Sequence, residues 1–160
     1  MTKLGFVIVN YNDYPMTKRL LENIKDYKCL SKIVVVDNHS TDDSVIKLQK
    51  HENKKIKILE AKDNKGYAAG LNLGAKYLIK ELGKCNIIFS NSDIIIHKEE
   101  DLKKLNSDIG KHSIAIVGPT VVENRKLNRG WMLPTIEDEI KFNLPLISRK
   151  YRKEILYDED

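Results

Sequence analysis

The chain has 160 residues, 41% hydrophobic and 32% charged, with a formal net charge of +5 from 28 basic and 23 acidic side chains. That leaves room for one domain with a real core and not for two comfortable ones, and the composition is ordinary for a soluble globular protein. The longest purely apolar runs, such as Ile33-Val34-Val35-Val36, are far too short for a transmembrane helix. The lysines are interleaved with acids and form no basic arm, which argues against a nucleic-acid partner.

Leu4 to Asn10 reads as a buried strand, and its run, broken at Asn10, does not read as a signal peptide. Asp13 offers a helix N-cap, Pro15 suits the first helical turn, and Met16, Leu20, Ile24 and Tyr27 repeat at helical spacing. Ser31 to Asp37 predicts a second strand. Ser40 or Thr41 can cap the next helix, Asp42 and Asp43 suit its N-terminal dipole, and Val45, Ile46 and Leu48 make its apolar face. Ile56 to Glu60 predicts a third strand. A polar loop to Gly66 then leads into a helix from Tyr67 to Leu82, stopped at Gly83.

Ile87 to Phe89 and Ile94 to Ile96 are two short apolar runs that predict buried strands, with Asn91, Ser92 and Asp93 between them. Oxygens at positions i and i+2 of such a turn can converge on one hard divalent cation, although the same residues would also make a plain Asx turn. A charged helix is expected from about Lys98 to Asn106, and a strand from Ile114 to Val117. After Val121 the pattern degrades. Thr135 and Ser148 could open two short helices around Ile136–Leu144 and Tyr151–Leu156, too short to stand alone. They would dock on the sheet, on a further segment, or on a second copy of the chain. Arg149, Lys150, Arg152 and Lys153 form the one dense basic patch; a solvated helix face is the first reading of it and an anionic membrane surface the second.

Strands alternating with helices, nearly continuous in apolar residues, predict an α/β fold with a mainly parallel sheet and helices on both faces. Right-handed crossovers would then bring Asn10-Tyr11-Asn12, Asp37-Asn38, Asp63 to Gly66 and Asn91 to Asp93 to one edge of the sheet. Open α/β sheets bind ligands at that edge. Several chemistries are excluded. The first turn is Asn-Tyr-Asn-Asp-Tyr-Pro, so the glycine-rich dinucleotide fingerprint is missing, as are a Walker A loop and a Gly-x-Ser-x-Gly elbow. Asn10 and Asn12 do not supply the acidic pair of a phosphoacceptor domain. His39, His51, His97 and His112 have no metal-ligand spacing and are expected in solvent. Cys29 and Cys85 are expected to be reduced and semi-buried, as in a cytosolic protein.

Val7-Ile8-Val9-Asn10-Tyr11-Asn12, Val34 to Ser44 with Asp37-Asn38-His39-Ser40 inside it, Asn64-Lys65-Gly66-Tyr67 through Asn72 to Gly74, and Asn91-Ser92-Asp93 together resemble the family 2 glycosyltransferases of GT-A fold. Asn-x-Asp in place of Asp-x-Asp resembles their rhamnosyltransferase-like branch. The likeness covers roughly Leu4 to Pro119. It implies that Asp37 binds the base or ribose of a UDP- or dTDP-linked sugar in a nucleotide pocket shared by Asn10, Tyr11, Asn12 and Asn38. Gly66 would let the backbone approach the nucleotide at positive φ, and Asn72 would reach the same side from its helix. Asp93 and Asn91 would hold Mg or Mn against the diphosphate, and transfer to a saccharide or lipid-linked acceptor for cell-surface polysaccharide would invert the anomeric centre.

Residues 1–120 are then a nucleotide-sugar-binding core and 121–160 the start of a missing acceptor-binding segment. The catalytic base is expected in that segment. Tyr157-Asp158-Glu159-Asp160 resembles a Tyr-x-Glu-Asp pattern but sits at the very end of the chain, so the base is left unassigned. The alternative is a nucleotide-sugar-binding module without turnover. The expected location is cytoplasmic, with peripheral contact at the inner face of a membrane and self-association both left open.

Overall fold

The computed structural model describes residues 2–109, 111, 116–119, 121–123 and 126–128. The chain divides into two units, Met1–Val117 and Gly118–Asp160. In the first, strands β1 (Lys3–Asn10), β2 (Lys32–Asp37), β3 (Ile56–Glu60) and β4 (Cys85–Ser90) alternate with helices α1 (Tyr14–Ile24), α2 (Ser44–Gln49), α3 (Tyr67–Leu82) and α4 (Glu99–Asp108). The strands pair in the order β3-β2-β1-β4, and all three pairings are parallel. In the second unit, β5 (Val121–Glu123) and β6 (Lys126–Asn128) make an antiparallel pair that the sequence reading missed.

Alternation along the strands sorts the core into two layers. Leu4, Phe6 and Ile8 of β1 and Ile33 and Val35 of β2 face Leu20, Leu21 and Ile24 of α1, Leu48 of α2 and Leu102 of α4. Val7, Val34 and Val36 face the other way and meet Leu78 of α3. Each such fully buried side chain contributes about 1.5–3 kcal/mol relative to an exposed one. The second layer is thin because α3 lies close on the sheet. A Cβ on Gly74 would stand 2.5 Å from Val7 Cγ1, and one on Gly70 3.1 Å from both methyls of Val9.

Several expectations need correction. Ile94 to Ile96 is not a strand. Ile96 is captured by α1 instead: Asn23 Nδ2 donates to its carbonyl at 3.0 Å, its N–H donates to Asn23 Oδ1 at 2.9 Å, and the Tyr27 hydroxyl donates to the same carbonyl at 2.8 Å. One asparagine amide thus supplies the two bonds that a neighbouring strand would have given. Helix α1 stops at Ile24, so Tyr27 lies beyond it. Asp13 does cap α1, accepting from Met16 N, with proline in the first turn. Helix α2, however, begins after Asp43, not after Ser40 or Thr41, and Ile46 points into solvent at 65% exposure. Most of the Ile114–Val117 strand lies outside the described residues; Ile116 and Val117 are described and are not in a strand. The two short helices expected from Thr135 and Ser148, the basic patch, His112 and Tyr157 to Asp160 also lie outside them. His39 and His97 are exposed, but His51 is half-buried, with Nε2 3.1 Å from the Tyr14 hydroxyl. Cys29 and Cys85 are free and half-buried. Burial, with Glu99 beside it, pushes the Cys29 thiol up to about 11.

The stiff valine against Gly74 leaves no room for a methyl group. Gly74→Ala should destabilise the chain by about 1–3 kcal/mol through overpacking, measured by urea unfolding. An unchanged midpoint would mean that α3 rides further from the sheet than these distances say.

Candidate functional site

The order of the strands locates the site. The chain steps from β1 to β2 to β3 and then returns to lay β4 on the other side of β1. Loops leaving the C-terminal ends of β1 and β4 therefore diverge, which opens a crevice at that switch point.

Beneath the crevice lies a buried polar knot. Asn10 and Asp37 end their strands opposite one another in the pairing register, and both side chains are buried. Asn10 Nδ2 donates to Asp37 Oδ2 at 2.7 Å, Ser40 Oγ donates to the same oxygen at 2.7 Å, and Ser40 N donates to Asp37 Oδ1 at 2.8 Å. A carboxylate removed from water needs such donors, since an uncompensated one would be strongly destabilising. The other end of the Asn10 amide accepts from the Thr17 hydroxyl of α1 at 2.7 Å.

The knot extends into the loops. Asn12 and His39 take left-handed backbone angles, φ 52 and φ 66, with Asn12 the residue type that tolerates this more readily. Asn12 N donates to Ser40 Oγ at 2.9 Å, and Thr41 N donates to Asn12 Oδ1 at 2.8 Å. Ser40 and Thr41 are engaged with the first loop, which is why neither caps α2. The third loop is tied to the second through Asn64, whose Oδ1 accepts from Asn38 Nδ2 at 2.7 Å and from Gly66 N at 3.0 Å. Gly66 has φ 89 and leads into α3, whose first turn has no side-chain cap.

Above these loops is a cleft of about 420 Å³. Tyr11 and Asp13 line it from the first loop, Asn38 from the second, Asn64 and Tyr67 from the third, and Asn91, Ser92 and Asp93 from the fourth. All four polar turns expected at this edge contribute to it. The individual residues divide differently. Tyr11, Asn38, Asn91 and Asp93 face the cleft; Asn10 and Asp37 are buried in the knot and Asn12 braces a loop, and none of these three lines it. Asn72 is exposed on α3 and is not among the lining residues. Asp13, Asn64 and Tyr67 were not singled out as binding residues in the sequence. Asp13 was hidden by its capping role, and Tyr67 by reading as the first residue of a helix. Partial burial and the nearby Asp93 carboxylate push the Tyr67 phenol above its ordinary value.

Asp93 and Asn91 offer hard oxygens on one rim of the cleft. Among the described residues no group of three or more His, Cys, Asp or Glu side chains comes together. Two oxygen donors with open coordination positions suit Mg or Mn completed by phosphate oxygens, and do not suit a closed structural site.

A family model for glycosyl transferase family 2 matches residues 6–158. The chain belongs to that family. Its four-stranded parallel sheet with flanking helices is the family's Rossmann-like GT-A fold. It is 29% identical, over 119 residues, to the low-salt glycan biosynthesis hexosyltransferase Agl10 of Haloferax volcanii, covering 74% of this chain and 36% of that protein. S. aureus TarS 1-349 in complex with UDP superposes with a TM-score of 0.54 at 25% identity, over 69% of this chain and 32% of that one. The mannosyltransferase PcManGT of Pyrobaculum calidifontis, in complex with GDP-Man and Mn2+, gives 0.53 at 18% identity, over 65% of this chain and 31% of its own. At that identity the second likeness is one of fold. The chain spans about a third of the length of these proteins.

In this family 2 chain Asp37 already accepts three hydrogen bonds from protein donors. Asp37→Asn would turn an amide N–H₂ toward one of those donors and leave it unpaired. The expected result is a stability loss of about 1–3 kcal/mol in denaturant unfolding. Full stability with only ligand binding lost would return Asp37 to the direct nucleoside contact that the resemblance implies.

Proposed function

We propose that the cleft binds the nucleoside diphosphate part of a sugar donor, and that the protein is a glycosyltransferase acting on a saccharide or lipid-linked saccharide. The observation that carries this reading is the convergence of Tyr11, Asn38, Tyr67 and Asp93, from three loops and the start of α3, on one cleft at the sheet's switch point. Family membership and the hexosyltransferase relative support it, as do the UDP and the GDP-Man with Mn2+ bound by the two similar structures.

In this reading the work divides among the loops. Tyr11, half exposed, offers a ring face for the base. Asn38 donates one amide hydrogen to Asn64, which fixes the orientation of its amide and leaves its carbonyl oxygen to accept from the base edge. The uncapped start of α3, just after Gly66, receives phosphate oxygens through backbone N–H groups. Asp93 and Asn91 would hold Mg or Mn, which when bound offsets the negative charge left on the departing diphosphate. Tyr67, on the wall of the cleft, donates a hydrogen bond from its phenol to the diphosphate or the sugar. Asp37 acts from below, by holding Asn10 and Ser40 in place. A UDP or dTDP donor and an inverting transfer are the specific form of the proposal.

Calorimetric titration of UDP, dTDP and GDP, with Mn2+ and then with a chelator, tests it. Binding should weaken at least tenfold, about 1.4 kcal/mol, on chelation. Asp93→Asn should reproduce that loss for the diphosphates and leave binding of the bare nucleoside unchanged. Equal affinity with and without metal would remove Asp93 from the metal role, and no binding of any nucleoside diphosphate would overturn the reading.

A further inference from the structure

We propose that the Thr17 hydroxyl is a positioning group for the nucleotide cleft, acting through the Asn10 side chain. The inference rests on the reading of the cleft as a nucleotide site. It starts from a residue that no motif singles out and that the cleft does not touch. Thr17 lies in the first turns of α1 and is fully buried. Its own N–H bonds back to the Asp13 carbonyl at 3.2 Å, while its hydroxyl leaves the helix and donates to Asn10 Oδ1 at 2.7 Å.

The chemistry of an amide makes that bond consequential. Asn10 has a donor end and an acceptor end, and the Asp37 carboxylate decides which faces it. Only the N–H₂ end can, and it does so at 2.7 Å while also reaching Ser40 Oγ at 3.2 Å. The oxygen end is thereby turned toward α1 in a dry interior, where it needs a donor. Thr17 is that donor. Without the hydroxyl, Asn10 Oδ1 is a buried acceptor with nothing to accept, and its remedy is to swing toward water. Swinging would break its bonds to Asp37 and Ser40.

Those bonds shape the two loops next to them. Asn10 immediately precedes Tyr11, and Asp37 immediately precedes Asn38, and both Tyr11 and Asn38 line the cleft. Ser40 in turn holds Asn12 N. The Asn10 carbonyl accepts from Asn38 N at 2.8 Å, so the two loops share one backbone tie as well. A single hydroxyl on α1 therefore keeps the base-facing sides of two loops in register. Its contribution is to affinity, through preorganisation, and goes beyond its packing.

The test uses the full 160-residue chain. Thr17→Val keeps the shape and removes the donor, Thr17→Ser keeps the donor and removes a methyl, and Asn10→Ala removes the group through which Thr17 acts. Affinity for UDP, dTDP and GDP with Mn2+ is measured well below each variant's unfolding temperature, and the Asn10 side-chain N–H₂ resonance is followed by NMR. Thr17→Val should weaken the tightest of the three about tenfold and shift that resonance. Thr17→Ser should restore both, although it too leaves a small void. Adding Thr17→Val to Asn10→Ala should cost no further affinity. If the wild type binds one of these probes and Thr17→Val binds it equally, the positioning role is wrong while the nucleotide reading stands. If the folded wild type binds none of them, the nucleotide reading fails and the positioning role falls with it. Should Thr17→Val not fold, Thr17→Ala takes its place: a tenfold loss that Thr17→Ser does not show supports the positioning role, and an affinity equal to that of Thr17→Ser overturns it.

Discussion

The rest of the site depends on one buried carboxylate. Asp37 ends a central strand with no exposed surface, and a charge there is tolerated only when donors surround it. The three donors come from two places: the end of β1 through Asn10, and the loop after β2 through the backbone and hydroxyl of Ser40. Satisfying Asp37 therefore draws two loops together above it. Those loops then carry Tyr11 and Asn38 to the same cleft.

The topology sets where this happens. The reversal between β1 and β4 separates their following loops and leaves a crevice between them. Each wall of the crevice is anchored differently. On the β1 and β2 side the anchor is the polar knot. On the β4 side the loop after Ser90 runs back to α1, where Asn23 and Tyr27 hold Ile96 by its backbone. On the α3 side, Gly70 and Gly74 bring the helix onto Val7 and Val9, and this close approach sets the height of Gly66 and Tyr67 above the sheet. Helix α1 touches two of these anchors, through Thr17 and Asn23, and so ties opposite walls of the cleft to one rigid element.

The cleft's own lining is polar and sparing in charge, with Asp13 and Asp93 its only described acids. Two carboxylates and several amides bind weakly to an anion by themselves. A divalent ion shared with phosphate would reverse the sign of that electrostatic balance.

A good deal of this was legible in the residue order. The apolar runs at Leu4–Asn10, Ile33–Val36 and Ile56–Glu60 and the helix from Tyr67 to Leu82 all follow from local pattern, while the positive φ at Gly66 was implied by the family resemblance. So does the arrival of four polar turns at one edge, because parallel strands joined by right-handed crossovers must point their C-terminal loops the same way. Local pattern was silent on partners. Ile94 to Ile96 has the composition of a strand, but the backbone groups of Ile96 found Asn23 on α1 and Tyr27 just beyond it. Ser40 and Thr41 have the chemistry of helix caps, but Asp37 and Asn12 claimed them first. Asp37 has the chemistry of a ligand-binding acid, yet its oxygens face inward, and Asn72 shares a motif with the cleft but stays on the outer surface of α3. Periodicity and residue type state how much of a side chain must be buried and how many hydrogen bonds it must make. They do not state with whom, because the competing partners lie tens of residues away and meet only once the chain has folded.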